Sequence, residues 1–508
     1  MSKKTVIIWL SVIVLLGGVL RFYNLGEVSF SADEFLDMNS SYAYLQSGEW
    51  KNWDFNKSAI NVENEFAPRD ERAWGYKIQA ATLFGFFPPT EAVARSASAL
   101  WGVLTVALMY FVGTFFSGKR QVGLISAFLF AVSIVGIEFD RTFRMYAMFF
   151  PLFLLFSRSL FRFFEGRYSG KIKLLEYFSQ RWGVDLRYLF PTAIFGALSL
   201  HVHQLTANMA FIFGAYALGG AVYTLAKKRP FWNKYVVSTL ALLATYILGM
   251  VLFPEALRQY SAGIGFFENH YNYFAKALVD YAHPLIAILF IGVGGYCLAE
   301  KLGKRKEAAW LLASFLVTLF SAVFLWTRNV GPQYIFFVQS FEMILVAVGI
   351  YGIADFFREK LGKEFGKKAF IIPLVLSLLV LPNYAYFFEE NNTYNQNSRS
   401  SNPNYRSIFA YVQKNSDKGD ALITRNFRSY YYSGAGFEVY DFGGERTKDK
   451  VTVEIINEIM AKNQKGWVVF SDNDESFVTK EARDYLDKNL EKVNAIQVRG
   501  AVSVYRWE

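Results

Sequence analysis

Long apolar stretches separated by short charged ones run through most of the chain. The first follows Lys3 and Lys4 and reaches Leu20. Later ones fall near 93–116, 122–137, 145–161, 188–203, 204–226, 235–253, 283–299, 308–326, 333–356 and 368–388. About 20 apolar residues cross a bilayer as a helix, and a helix satisfies its own backbone hydrogen bonds in lipid. The pattern therefore predicts about eleven transmembrane helices. No small-x-small cleavage site follows the first run, so it reads as an uncleaved helix with its N-terminus inside. The stretch near 73–87 is different. It carries Lys77 and Gln79, ends in Pro88-Pro89, and reads as a helix lying at the interface.

Charge orients these spans. Lys119-Arg120, Arg158–Arg187, Lys227–Lys234, Lys301–Lys306 and Arg358–Lys368 all fall on the N-terminal side if 73–87 does not cross. That is the cytoplasmic side by the positive-inside rule. The loop 22–95 holds eleven acidic residues against six basic ones and falls on the other side. Eleven spans put the tail there as well. A multi-pass plasma-membrane protein with a cytoplasmic N-terminus and an extracytoplasmic C-terminal domain is expected.

After Asn391-Asn392 the pattern changes. Helices are predicted near 404–415, 452–464 and 478–488, and strands at Ala421–Thr424, Trp467–Phe470, Ala495–Val498 and Ala501–Tyr505. The fold class is thus an all-α polytopic membrane domain, residues 1–390, with a small α/β domain, 391–508.

Composition narrows the function. The 508 residues are 53% hydrophobic and 19% charged, below the roughly 25% charged of soluble domains. The net charge of +10 sits in the short loops, which fits membrane topology and not nucleic-acid binding. A single cysteine, Cys297, excludes a disulfide framework and a cysteine-based metal cluster. No Walker loop, dinucleotide-binding glycine motif, Gly-x-Ser-x-Gly or His-Glu-x-x-His occurs.

The candidate chemistry lies in the segments assigned to the outer side. Asp33 and Glu34 are adjacent carboxylates just after the first span. One can accept a proton while its neighbour orients it or holds a divalent cation. They also suit a solvated helix start. Glu138, Asp140, Arg141 and Arg144 form a second group, with Glu138/Arg141 and Asp140/Arg144 at helical spacing. Such charges form an ion-pair knot or leave a guanidinium to clamp phosphate. Arg328 and Arg72 are further phosphate contacts by type. Glu71, His201 and His203 are the available metal ligands, although a spacing of two keeps the histidines off one helix face.

Taken together, these segments resemble the GT-C membrane glycosyltransferases, close to the protein O-mannosyltransferase and aminoarabinose transferase group. The likeness rests on Ser31-Ala32-Asp33-Glu34, on Glu91–Val106, on Arg141–Met148, on His201–Leu205, on Arg328–Phe336 and on Asn404–Ile423. It implies a polyprenyl-phosphate sugar donor and a hydroxyl acceptor on a protein, lipid or glycan. It also implies inversion at the anomeric carbon, Asp33 as base with Glu34 beside it, and Arg141 and Arg144 near the active site. Relatives differ in metal use. The chain departs from the pattern in having Arg72-Ala73-Trp74 where relatives carry a Pro-Pro segment, and Gln333 before Tyr334. A flippase for lipid-linked sugars and a non-catalytic scaffold are the alternatives. The flippase would place ionisable residues inside several spans, where Glu342 is the one noted.

Overall fold

The computed structural model describes residues 2–61, 71–255, 263–265, 267, 269–327, 330–360, 371–380, 384–397, 402–441, 450–471, 474, 477–498 and 500–508. The chain forms two compact units. The first comprises Met1–Arg21, Ala99–Asp140 and Tyr146–Tyr384; the second comprises Phe22–Ser98, Arg141–Met145 and Ala385–Glu508.

Among the described residues, eight helices are long and apolar enough to cross a bilayer: Lys3–Phe22, Glu91–Ser117, Tyr146–Glu165, Gln204–Ala226, Lys234–Leu252, Pro284–Lys301, Arg305–Phe324 and Phe336–Lys360. The helices Arg120–Ala131 and Ile134–Asp140 are apolar enough together but are bent by 62° at the break between them, the form of a broken span or a re-entrant loop. Shorter apolar helices, Leu186–Val202 and Ile371–Val380, occupy the remaining predicted runs. The chain is a multi-pass membrane protein.

The bent pair falls where the sequence predicts one straight span over 122–137. Its cause lies in side chains that replace the helix's own hydrogen bonds. Ser133 Oγ accepts from the Gly136 N–H at 2.9 Å and donates to Asp280 Oδ2 at 2.5 Å. Asp280 Oδ1 accepts from the Val135 N–H at 3.0 Å. A carboxylate thus caps the start of the second half-helix, where exposed N–H groups and the helix dipole favour negative charge. On the other side of the break, the carbonyls of Phe130 and Ala131 accept from Arg21 Nη2 and Nη1 at 3.2 and 3.0 Å. Arg21 Nε then reaches Asp140 Oδ2 at 2.7 Å, with both residues buried. Gly102 leaves the room for this pair. A Cβ there would collide with the Asp140 carboxylate and stand 2.6 Å from Arg21 Nε.

Glycines also set the closest helix approach. A Cβ on Gly294 would strike the carbonyl oxygen of Leu345, and one on Gly349 that of Phe290. The helices Pro284–Lys301 and Phe336–Lys360 therefore touch backbone to backbone, as small residues permit in membranes.

The second unit contains a five-stranded sheet and a two-stranded ribbon. The ribbon is β1 (Trp53–Asp54) with β2 (Ala59–Ile60). The sheet is built from β3 (Ala421–Thr424), β4 (Glu438–Asp441), β5 (Gly466–Ser471), β6 (Glu491–Lys492) and β7 (Val502–Trp507), in the order β4-β3-β5-β7-β6. β4 and β5 run parallel to β3, while β7 is antiparallel to β5 and β6. β3 and β5 are buried along their whole length, as central strands covered on both faces are. Ile423, Val468, Phe470 and Tyr505 meet Ile456, Ile459, Ala482 and Leu486 from helices Val453–Lys462 and Lys480–Asn489. Thr452, Thr479 and Asn404 cap the three tail helices through their side chains.

Ala495–Val498, expected as a strand, is a turn in which the Val498 N–H donates to the Ala495 carbonyl. Antiparallel pairing of β6 with β7 requires the chain to reverse there, and Gly500 at φ 78° completes the reversal. The pairing falls instead to Glu491–Lys492, and Glu438–Asp441 adds a strand the sequence pattern does not announce. The helix Trp74–Phe84 confirms a helix where 73–87 predicts one.

The glycine contacts give a test. Gly294→Ala should lower the thermal unfolding midpoint of detergent-purified protein, because overpacking costs roughly 1–3 kcal/mol. Gly292→Ala, whose Cβ meets nothing within 4 Å, should not lower it. Equal midpoints for both variants would contradict the close helix approach.

Candidate active site

Helix Ala32–Ser47 begins with a capping box. Ser31 Oγ accepts from the Glu34 N–H, and Glu34 Oε2 accepts from the Ser31 N–H at 2.9 Å. This local device fixes Asp33 and Glu34 in the first turn, and it turns the two carboxylates to different uses.

Glu34 points inward and is 2% exposed. Arg95 Nε and Nη2 hold its two oxygens at 2.7 and 2.8 Å. The Phe143 N–H adds a third bond at 2.7 Å. Burial alone would raise this carboxyl, but the Arg95 guanidinium and the bonds from Phe143 and Ser31 outweigh it and hold the group below its ordinary 4.5. Arg95 spends its other donors on the carbonyls of Leu25 at 3.2 Å, Val28 at 2.7 Å and Ser29 at 3.2 Å. One ion pair thereby ties residues 25–34, the start of helix Glu91–Ser117 and the loop at Phe143.

Asp33 keeps 57% of its side chain exposed. Asp37, one turn along the same face, is 2% exposed. Both face Arg144. Its Nη1 bonds Asp37 Oδ2 at 2.5 Å and the Asp33 carbonyl at 3.1 Å, and its Nη2 lies 3.4 Å from Asp33 Oδ2. Lys77, from helix Trp74–Phe84, is buried with its Nζ 3.6 Å from Asp37 Oδ1. Tyr76 of that helix shares a 2.5 Å hydrogen bond with Ser98 and packs its ring 5.4 Å from Phe143. The result is an exposed carboxylate beside a guanidinium that a second, buried carboxylate holds in place.

Arg141 has a different role. Its Nη1 donates to the Tyr23 carbonyl at 2.6 Å, and its Nη2 to the carbonyls of Asn24 and Thr393 at 3.0 and 2.9 Å. Nε donates to Thr393 Oγ1 at 3.1 Å, and the plane lies 4.3 Å from the Tyr394 ring. Burial pushes this guanidinium down to about 10. The helix before it ends at Asp140, whose carboxylate takes Arg21. The expected Asp140/Arg144 pairing along one helix is replaced by Arg21–Asp140 and Arg144–Asp37. Helix spacing failed here because the 141–145 segment is a turn.

The other candidates lie elsewhere. Glu138 is exposed on the half-helix Ile134–Asp140, and Glu71 and Arg72 are exposed just before helix Trp74–Phe84. His201 and His203 end helix Leu189–Val202 in the first unit. His203 is buried against Tyr146 and Phe149, and its Nδ1 accepts from the Leu205 N–H at 3.0 Å. Arg328 lies outside the described residues. Among the described residues, no three His, Cys, Asp or Glu side chains form a metal-binding group.

Asp37, Arg95 and Lys77 were not singled out by sequence. Asp37 had one signal, its position four residues after Asp33. Arg95 had another, a cation one turn inside an apolar helix. A further contact joins the first loop to the tail: Glu91 accepts from Arg406 Nη2 at 2.6 Å and from the Tyr431 hydroxyl. Phe35, fully buried, packs its ring 5.1 Å from Tyr431 and 5.7 Å from Phe427.

No family model and no curated protein sequence matches the chain. Solved structures do. The oligosaccharyltransferase of Archaeoglobus fulgidus in its apo form superposes with a TM-score of 0.59 at 12% identity, over 93% of this chain and 70% of that one. Apo ArnT from Cupriavidus metallidurans gives 0.56 at 12% identity, over 99% of this chain and 98% of that one. The chain adopts the GT-C fold. Within this GT-C chain, Asp33, Asp37 and Arg144 belong to one compact unit with the 22–98 loop and the tail.

The Glu34–Arg95 pair makes a sharp prediction. Glu34→Gln leaves Arg95 without its buried partner, which typically costs about 3–5 kcal/mol. The wild-type carboxylate is stabilising above its ordinary 4.5, and that contribution fades as pH falls through the lowered folded value. Unfolding midpoints of wild type and variant should differ strongly at neutral pH and converge only below about 4.5. A gap that is already closed at pH 6 would contradict the assignment.

Proposed function

We propose that this protein transfers a monosaccharide from a polyprenyl-phosphate donor to a hydroxyl acceptor, with inversion, on the extracytoplasmic face of the membrane. The observation that carries the reading is the bridge of Arg144 between exposed Asp33 and buried Asp37 in a chain of GT-C fold. Support for the class of donor comes from a structural neighbour. The Archaeoglobus fulgidus enzyme AglB has been captured with an inhibitory peptide and a dolichol-phosphate, at a TM-score of 0.58 and 11% identity.

In this reading Asp33 accepts the proton of the acceptor hydroxyl as its oxygen attacks the anomeric carbon. The bond from that carbon to the lipid phosphate oxygen breaks, and the polyprenyl phosphate leaves with the electron pair. Arg144 stabilises the developing phosphate charge, as preorganised cations do. Asp37 and Lys77 position Arg144, and Glu34 and Arg95 position Asp33. Arg141 shapes the loop through the carbonyls it holds. The carboxylates face Arg95, Arg144 and Lys77, which disfavours a bound cation, so no step runs through a metal. The acceptor is a protein, lipid or glycan hydroxyl. The acidic first loop and the α/β tail face outward, and the basic loops face the cytoplasm.

The buried charges of the membrane unit bear on the transport alternative. Arg21 and Asp140 neutralise each other, and Asp280 caps a half-helix, so these residues have structural partners that a translocation path would not need.

Asp33→Asn should reduce release of polyprenyl phosphate by about 10²–10⁴-fold with an unchanged unfolding midpoint, because Asp33 is exposed. Asp37→Asn should reduce both activity and midpoint, because it uncouples a buried pair. The assay is purified protein in lipid with a panel of polyprenyl-phosphate sugars. Wild-type activity in Asp33→Asn would remove that residue from the mechanism. A periplasmic-type reporter fused after residue 50 should be active, and activity only of a cytosolic reporter would overturn the orientation.

A further inference from the structure

Glu342 is a buried carboxylate of the first unit that the proposed reaction does not use. It lies in helix Phe336–Lys360 and is 0% exposed. Both of its oxygens are buried without a hydrogen-bond partner among the described residues. An unpaired carboxylate in such a place is strongly unfavourable unless something neutralises it. Gln339, one turn earlier on the same face, is 2% exposed, and its Oε1 is likewise buried without a partner. Its side chain interacts with Asp280. Tyr281, next to Asp280, interacts electrostatically with Glu342, and its hydroxyl is also buried without a partner.

The two acids are unlike. Asp280 accepts from the Ser133 hydroxyl and the Val135 N–H. Both of its oxygens are engaged at the start of a half-helix. Glu342 has no such donors and feels the charge of Asp280 as well. Protonating Glu342 would remove its charge yet leave the Gln339 and Tyr281 oxygens as they are. A cation among these oxygens would compensate all of them at once. Carboxylate, amide carbonyl and phenol oxygens are the ligands that hard cations select. The site also adjoins a broken helix, the setting in which membrane proteins coordinate small cations.

We propose that Glu342, with Gln339 Oε1 and Tyr281 Oη, binds a hard metal cation beside Asp280, inside the membrane unit and separate from the Asp33 site. The test is thermal unfolding of the full-length protein in detergent at constant ionic strength. Sodium is replaced by N-methylglucamine and EDTA is added. Sodium, magnesium, calcium or manganese is then titrated back. One of these should raise the midpoint saturably, as a ligand of the folded state does. The rise should vanish in Glu342→Gln, and its midpoint concentration should increase several-fold in Gln339→Ala and Tyr281→Phe. Should Glu342→Gln not fold, the latter two variants decide. No cation-dependent rise in wild type would overturn the proposal. A rise of equal affinity in all the variants would place the cation elsewhere and overturn it equally. So would a Glu342→Gln protein that matches or exceeds the cation-loaded wild type, since that is the behaviour of a protonated acid.

Discussion

A carboxylate removed from water persists only where cations and N–H groups surround it, and the second unit is organised around one such group. Glu34 receives a bidentate guanidinium and two backbone N–H groups, so each of its oxygens is engaged twice. These contacts come from three stretches: the helix start, the Arg95 helix and the 141–145 turn. That arrangement leaves Asp33, its neighbour, as the carboxylate that faces solvent. The division of labour between the two acids follows from helix geometry, which sends adjacent side chains about 100° apart. Arg144 then couples the exposed acid to Asp37, so these two acids rest on the same scaffold that buries Glu34.

The membrane unit obeys the same rule in a different setting. Breaking a helix inside a bilayer strands N–H groups on one side and carbonyls on the other. Here Asp280 takes the N–H groups and Arg21 takes the carbonyls, so buried charges do the work that backbone bonds do elsewhere. The half-helix ends at Asp140, and the chain passes directly into the turn that carries Arg141 and Arg144. Because 141–145 is not helical, Asp140 pairs with Arg21 and Arg144 with Asp37 rather than with each other.

The apolar runs were legible because a bilayer demands about 20 apolar residues per crossing, and each predicted run holds an apolar helix. The tail was legible where amphipathic period and capping residues agree, as at Thr452 and Thr479. It was not legible at Glu438–Asp441, whose polar edge strand lacks the apolar character of β3 and β5. The site was legible only in part. Asp33, Glu34, Arg141 and Arg144 stood out as charges near apolar runs. Their partners did not, because Arg95 and Glu34 are 61 residues apart and Arg144 and Asp37 are 107 apart. Sequence spacing reports neighbours on one helix. It does not report which distant cation closes a buried pair, and so it announced neither the Glu34–Arg95 nor the Asp37–Arg144 contact.

The proposed reaction requires Arg144 and Asp33 to frame a sugar-phosphate linkage. Electron cryomicroscopy of the protein in lipid nanodiscs with a polyprenyl phosphate tests this most directly. The account predicts phosphate density within hydrogen-bond reach of Arg144, with the Asp33 carboxylate open beside it and Glu34 still closed on Arg95. A polyprenyl phosphate bound well away from Arg144, with Asp33 facing no part of it, would contradict the account.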